Sequence, residues 1–291
     1  MVVPGPIRWL LILAIAISAS PRQHAIAEEL HDIKYATVDS HELLLDLYLP
    51  DDAVNPKLIV WVHGGAWRSG SRRSIPLKDL VDEGYAVASI DYRLSPVARF
   101  PAQIHDIKAA IRFLRAHASE YGYDARSIGI AGASAGGHLV ALVGVTNGNS
   151  KLEGRVGGHL DQSSDVQAII DLYGPTNLTT ILPQSTPHGL GVRIPALQLL
   201  LGGQPEDKTE LAELASPVFH VDASDPPLLM LHGDQDPQVP VNQSLELLGR
   251  YEEFEIPVEL EIIHGGAHGG ALFYDSSRIE LMVSFLQKSL K

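Results

Sequence analysis

Short β-rich apolar runs alternating with helically spaced segments predict an α/β fold, a mostly parallel central sheet with helices on both faces. Two further observations support it. Ser134 stands at the centre of Gly132-Ala133-Ser134-Ala135-Gly136, between a strand-like run and a helix-like run. The chain of 291 residues is 45% hydrophobic and has no cysteine, which fits one large domain whose core needs no disulfides. The same lack of cysteine rules out thiolate metal sites and a cysteine nucleophile.

Residues 1–27 stand apart. Arg8 precedes an apolar run from Trp9 to Ile17, and Ala25-Ile26-Ala27 precedes Glu28-Glu29, the pattern of a secretory signal peptide. A membrane-spanning helix needs about 20 apolar residues, and Pro21-Arg22-Gln23-His24 interrupt this run too early. The expectation is export, periplasmic or secreted, with a catalytic domain of residues 28–291 and no stable membrane span after processing. An uncleaved anchor, or cleavage nearer Ser20, is the alternative. Removing residues 1–27 takes away Arg8 and Arg22 and no acid, so the formal charge moves from −13 to −15. A surface of that sign repels nucleic acid.

Residues 43–49 alternate and read as an early strand. Leu58-Ile59-Val60-Trp61-Val62 and residues 85–90 are continuous apolar runs of the kind found in buried parallel strands, with a helix expected over 75–83 between them. Pro101 opens a segment, residues 102–120, in which Ile104, Ile107, Ala110, Ile111 and Leu114 share one helical face. Residues 127–131 form the strand that leads into Ser134, and 138–143 the helix that follows. Later strands are expected over 166–173, 227–232 and 258–264, separated by helices over 241–254 and 276–290.

Two regions break the alternation. Residues 147–164, rich in Gly, Ser and Asn, read as an inserted loop. Residues 175–218 are longer, and Pro183, Pro187, Pro195 and Pro205 are expected to divide them into short helical pieces. An excursion from the carboxyl end of a sheet strand lies where ligands bind in such folds, so this segment is expected to form a partial lid.

A serine hydroxyl becomes a strong nucleophile only when a base takes its proton and a third group orients that base. Two loops at strand ends carry the needed residues in the order Ser…Asp…His. His232-Gly-Asp234-Gln-Asp236-Pro237 offers two aspartates, both of which fit. In His264-Gly-Gly-Ala-His268-Gly-Gly, His264 ends a strand pattern, whereas His268 stands among small residues with room to reach Ser134. An oxyanion needs converging N–H groups. Ala135 supplies one by position, and Gly65 and Ala66 of His63-Gly-Gly-Ala-Trp67 supply the others. His63 is expected to hold that loop, and His138 to be a satisfied buried histidine. Asp91, Tyr92, Arg93 and Asp106 read as loop-fixing groups. Trp67, Tyr92, Tyr173, Ile181, Leu182 and Phe273 are candidates for the substrate wall. His105, His117 and His188 have no metal-ligand spacing, and no His-Glu-x-x-His occurs, so no metal is expected.

His63-Gly-Gly-Ala-Trp67, Asp91-Tyr-Arg-Leu-Ser-Pro96, Phe100-Pro-Ala-Gln103, the Ser134 turn, Ala215-Ser-Pro217, the Asp236 loop and His268 occur together in the order seen in α/β-hydrolase-fold esterases. The set resembles the hormone-sensitive-lipase-like carboxylesterases and, more closely, the bacterial bifunctional feruloyl and acetylxylan esterases, over residues 35–290. Ala66 departs from the lipase-like pattern, where glycine is usual; it keeps its N–H and adds a methyl group. The resemblance implies the α/β-hydrolase fold and Asp236, over Asp234, as the acid. It also implies hydrolysis of short-chain acyl esters through acyl-Ser134 without a cofactor, acetyl or feruloyl groups of polysaccharides included. Competing expectations are an exported serine peptidase of the prolyl-oligopeptidase kind, an acyltransferase, and a catalytically silent binding protein.

Overall fold

In the computed structural model, which describes residues 28–51 and 53–291 together with Met1, eight strands share one sheet. They are β1 (Glu28–Val38), β2 (His41–Leu49), β3 (Lys57–Val62), β4 (Ala86–Ile90), β5 (Asp124–Ala133), β6 (Ala168–Leu172), β7 (Leu228–Gly233) and β8 (Val258–Ile263). Their order across the sheet is β1-β2-β4-β3-β5-β6-β7-β8. β2 runs antiparallel to β1 and β4, and the strands from β4 to β8 are mutually parallel. The helices are α1 (Asp79–Asp82), α2 (Ala102–Ala116), α3 (Ala118–Tyr121), α4 (Ala135–Gly144), α5 (Ser150–Glu153), α6 (Ile181–Gln184), α7 (Pro187–Leu201), α8 (Thr209–Leu214), α9 (Asn242–Glu253) and α10 (Ser276–Ser289). The expected signal segment falls on residues 2–27, outside the described residues. Among the described residues, no helix is long and apolar enough to cross a membrane.

The two-residue period of the strands sorts their side chains between two cores. Leu58, Val60 and Val62 pack on one face with Ile107 and Ile111 of α2 and Leu139 of α4. Ile59 and Trp61 pack on the other with Leu80 of α1 and Met282 and Phe285 of α10. Each such buried side chain contributes roughly 1.5–3 kcal/mol, which explains why the central strands are apolar throughout.

After β3 the chain moves outward to β4, then returns to the other side of β3 to form β5. The carboxyl ends of β3 and β5 therefore flank the crevice where the winding reverses, the place where open α/β sheets bind ligands. The His63–Trp67 loop and Ser134 follow directly from those two ends.

The sheet differs from expectation at its edge. β1 was not foreseen, because its sequence, EELHDIKYATV, lacks clean alternation. Register shifts between Leu30 and Ile33 and between Lys34 and Ala36 explain the irregular pattern. The helix expected over 75–83 shrinks to the single turn α1, with Pro76 before it and Gly84 after it. Pro195 does not divide its segment; it lies inside α7. Pro195 and Gly191, whose carbonyl loses its partner, both sit on the exposed face, where that carbonyl is not sealed from solvent. The insertion over 147–164 contains α5, tied to α2 by ion pairs from Lys108 and Arg112 to Glu153.

Candidate active site

β5 ends at Ala133 and α4 begins at Ala135, which leaves Ser134 between them at φ 55° and ψ −117°. Such a conformation costs on the order of 1–3 kcal/mol for a residue with a side chain. Backbone hydrogen bonds hold it: the Ser134 amide donates to the Leu172 carbonyl at 2.8 Å, and its carbonyl accepts from the His138 amide at 3.0 Å. A Cβ at Gly136 would run into the Val62 carbonyl oxygen, so the turn admits no side chain there.

The two aspartates and two histidines of the late loops sort into an outer and an inner pair. Outside, the exposed His264 bonds Asp234 through Nδ1 at 3.0 Å, and the Gly265 amide donates to the same carboxylate at 2.8 Å. Inside, His268 Nδ1 donates to Asp236 Oδ2 at 2.6 Å while His268 Nε2 accepts from Ser134 Oγ at 2.8 Å. The Asp236 side chain is fully buried and also accepts from the amides of Gln238 at 2.7 Å and Val239 at 2.9 Å. Burial opposes its ionisation, but hydrogen bonds from His232, His268 and the Val239 amide outweigh burial and hold the carboxyl well below the usual range. Ser134 is 8% exposed, so the residue is almost entirely enclosed.

Gly64 approaches the turn so closely that a Cβ there would lie 2.8 Å from the Ala133 carbonyl oxygen and 3.3 Å from Ser134 Cβ. The next residues take left-handed backbone, Ala66 at φ 51° and Trp67 at φ 58°. The Gly65 carbonyl is turned back onto the amides of Arg68 and Ser69, both at 3.1 Å. The Ala135 N–H is the first of α4, and the first N–H groups of a helix have no partner within it. Ala135 directly follows Ser134, and the loop that carries Gly65 and Ala66 adjoins the turn through Gly64.

His63 donates from Nδ1 to the Gly64 carbonyl at 2.7 Å and stacks on Tyr92 with ring centroids 4.5 Å apart, while the Tyr92 hydroxyl donates to the His63 carbonyl at 3.1 Å. Arg93 grips Asp106 with two hydrogen bonds of 2.8 and 2.6 Å, and Arg72 bonds Asp91 at 2.5 Å. These contacts brace the loops from behind.

Trp67 and Tyr92 are both buried, beneath the oxyanion loop and not on an open wall. The Ala66 methyl packs in the same core cluster. Tyr173 lies at the site, edge-on to His268 with ring centroids 4.9 Å apart and its hydroxyl 3.0 Å from that of Tyr274. Phe273 backs Tyr173, and Ile181 is core. His138 is buried between Trp67 and the Ala215 carbonyl. Among the described residues, no group of three or more His, Asp or Glu is placed to hold a metal ion.

Two residues that support the site escaped the sequence reading. His232, next to last in β7, holds Nε2 3.5 Å from Asp236 Oδ2. Arg193 lies in α7, buried near Asp236. A signal for Arg193 exists in the sequence: it falls in the helical stripe Gly189, Arg193, Ala196, Leu197, Leu200, Leu201, where every other position is apolar or glycine.

The BD-FAE family model matches residues 45–251. Among curated proteins, the chain is similar to the probable carboxylic ester hydrolase LipM of Mycobacterium tuberculosis, 36% identical over 187 residues, 63% of this chain and 42% of LipM. It is also similar to esterase LipC of the same organism, 33% identical over 218 residues, 73% of this chain and 53% of LipC. The chain spans about half the length of the curated relatives it matches. Among solved structures, a truncated carbohydrate esterase from gut microbiota superposes with a TM-score of 0.80 at 32% identity, covering 92% of this chain and 98% of that one. Esterase 2 of Thermogutta terrifontis does so with 0.73 at 27% identity, covering 92% and 94%. With the strand order above, these likenesses establish the α/β-hydrolase fold.

Proposed function

Because the chain belongs to the BD-FAE family, we propose that it is a serine carboxylesterase that cleaves short-chain acyl esters through an acyl-Ser134 intermediate. The observation that carries this reading is the continuous hydrogen-bonded line from Ser134 Oγ through His268 to the buried Asp236. His268 Nε2 takes the hydroxyl proton as Oγ attacks the ester carbonyl carbon. Asp236 keeps the other proton on Nδ1 and stabilises the imidazolium. The carbonyl oxygen, now carrying the negative charge, receives the N–H groups of Gly65, Ala66 and Ala135. His268 then gives its proton to the leaving alcohol, and water repeats the cycle on the acyl-enzyme to release the acid. No step needs a cofactor.

Acetyl or feruloyl esters of polysaccharides are the proposed natural substrates, supported by likeness to a protein described as a carbohydrate esterase. Residues 175–218 are proposed as a partial lid. Export is inferred from residues 1–27 alone, and N-terminal sequencing of the processed protein tests it.

The deciding measurement is steady-state hydrolysis of 4-nitrophenyl acetate, butyrate and octanoate and of an aminoacyl 4-nitroanilide, with Ser134→Ala as control. Turnover of the short esters that vanishes in the variant is expected. Anilide turnover in preference to ester would move the assignment to a peptidase.

A further inference from the structure

Helix α7 is tied to neighbouring loops at both ends. At its start, Thr186 donates its hydroxyl to the Pro237 carbonyl at 2.7 Å, on the loop that carries Asp236. At its end, the Leu200 carbonyl accepts from the Phe100 amide at 2.9 Å, on the loop that follows β4. Midway between these ties, the Arg193 guanidinium stands over the Trp67 ring, 5.8 Å from its centre.

Arg193 is 1% exposed, and its Nε and Nη1 have no hydrogen-bond partner among the described residues. A buried cation without an acceptor is unfavourable, so its retention calls for a reason. Two charges act on it, attraction from Asp236 and repulsion from Arg68. Asp236 does not bond it; its oxygens accept instead from the Gln238 and Val239 amides and from His268, with His232 beside them. Burial pulls the guanidinium down to about 10, which leaves it charged at neutral pH. The protein thus holds a buried cation over Trp67 with two N–H positions unbonded, and no acidic side chain among the described residues bonds it. A carboxylate is the ligand whose paired oxygens fit such a fork.

We propose that Arg193 is the receptor for a carboxylate carried by the substrate, so that this enzyme prefers anionic esters over neutral ones of the same size. The inference rests on the esterase reading. With Nε and Nη1 unbonded, those N–H groups are left for an arriving carboxylate to engage.

The test compares two matched pairs. For a carboxylate on the acyl side, mono-4-nitrophenyl succinate is set against 4-nitrophenyl pentanoate; for one on the alcohol side, 2-acetoxypropanoate is set against 2-acetoxypropanamide. The wild-type enzyme is expected to favour the anionic member of one pair by about tenfold or more in kcat/KM. Arg193→Met should lower kcat/KM for that anionic ester by about 10- to 100-fold and leave its neutral counterpart within about threefold, with Arg193→Lys in between. Equal treatment of both members of both pairs by the wild type, or equal loss on both esters in Arg193→Met, overturns the proposal. If Arg193→Met does not fold, succinate and lactate are titrated into Ser134→Ala by calorimetry, where binding of either supports the receptor and binding of neither overturns it. That titration needs no turnover. Failure of 4-nitrophenyl acetate hydrolysis would therefore sink the esterase reading separately.

Discussion

Trp67 donates its indole N–H to Nδ1 of His138 at 3.0 Å, and His138 Nε2 donates to the Ala215 carbonyl at 2.6 Å. One neutral imidazole thereby joins the His63–Trp67 loop, α4 and the segment after α8. Only the tautomer with its proton on Nε2 satisfies both contacts, and burial pulls His138 down to about 4. The native state therefore refuses a proton that the unfolded chain binds below about pH 6.5, so stability falls as pH drops from about 6.5 to 4. Urea unfolding across that window should show a loss on the order of 3 kcal/mol from this group. In His138→Gln the slope should shrink, and an unchanged slope would show that His138 is not its source.

Ser134→Ala and His268→Ala should each lower kcat by several orders of magnitude in a folded protein. Asp236→Asn should cost about 10⁴-fold by presenting the wrong imidazole tautomer. Asp234→Asn, which touches only His264 and the Gly265 amide, should keep activity within about threefold. Kinetics of the four variants on 4-nitrophenyl acetate check this, and a severe loss in Asp234→Asn with an active Asp236→Asn would reverse the assignment of the acid.

Ser134 was legible because a short motif and its strand-to-helix context coincide, and His268 because it stands among small residues past a strand, whereas strand context left Asp234 and Asp236 equal and the family resemblance favoured Asp236. The parallel strands were legible for a related reason: burial on both faces forces continuous apolar runs. β1 was not, because an edge strand with register shifts keeps neither period. Arg193 was missed because its meaning depends on Trp67 and Asp236, which are distant in sequence and come near it only in the folded chain. Trp67 was misjudged in the other direction. An aromatic after an oxyanion loop suggests a wall, yet its indole N–H found a partner inside the protein at His138.

Pro195 offers a test of how α7 is held. It stands mid-helix on the exposed side, and its ring removes the hydrogen bond to the Gly191 carbonyl. Pro195→Ala restores that donor at a solvent-facing site where no packing is disturbed. Stability should rise by about 1–3 kcal/mol, read as an increase in melting temperature. A fall would mean that the proline sets a bend on which the docking of α7 depends.

Asp171 gives the opposite pH dependence from His138. It is fully buried on β6, where Oδ1 accepts from the Gly174 amide at 2.8 Å and Oδ2 has no partner among the described residues. Burial, only partly offset by that amide and by His232, pushes its carboxyl up to about 7. The native state then holds a proton that the unfolded chain releases near pH 4, so stability declines as pH rises from about 4 to 7. Asp171→Asn keeps the acceptor for Gly174 and abolishes the titration. Its melting temperature should therefore match or exceed that of the wild type at pH 8, with the gap narrowing toward pH 4. The side chain also abuts Gly137 in the first turn of α4, so the same variant reports on the nucleophile turn. If kcat on 4-nitrophenyl acetate falls while stability rises, the carboxyl under the turn contributes to the position of Ser134; unchanged kcat would confine Asp171 to folding.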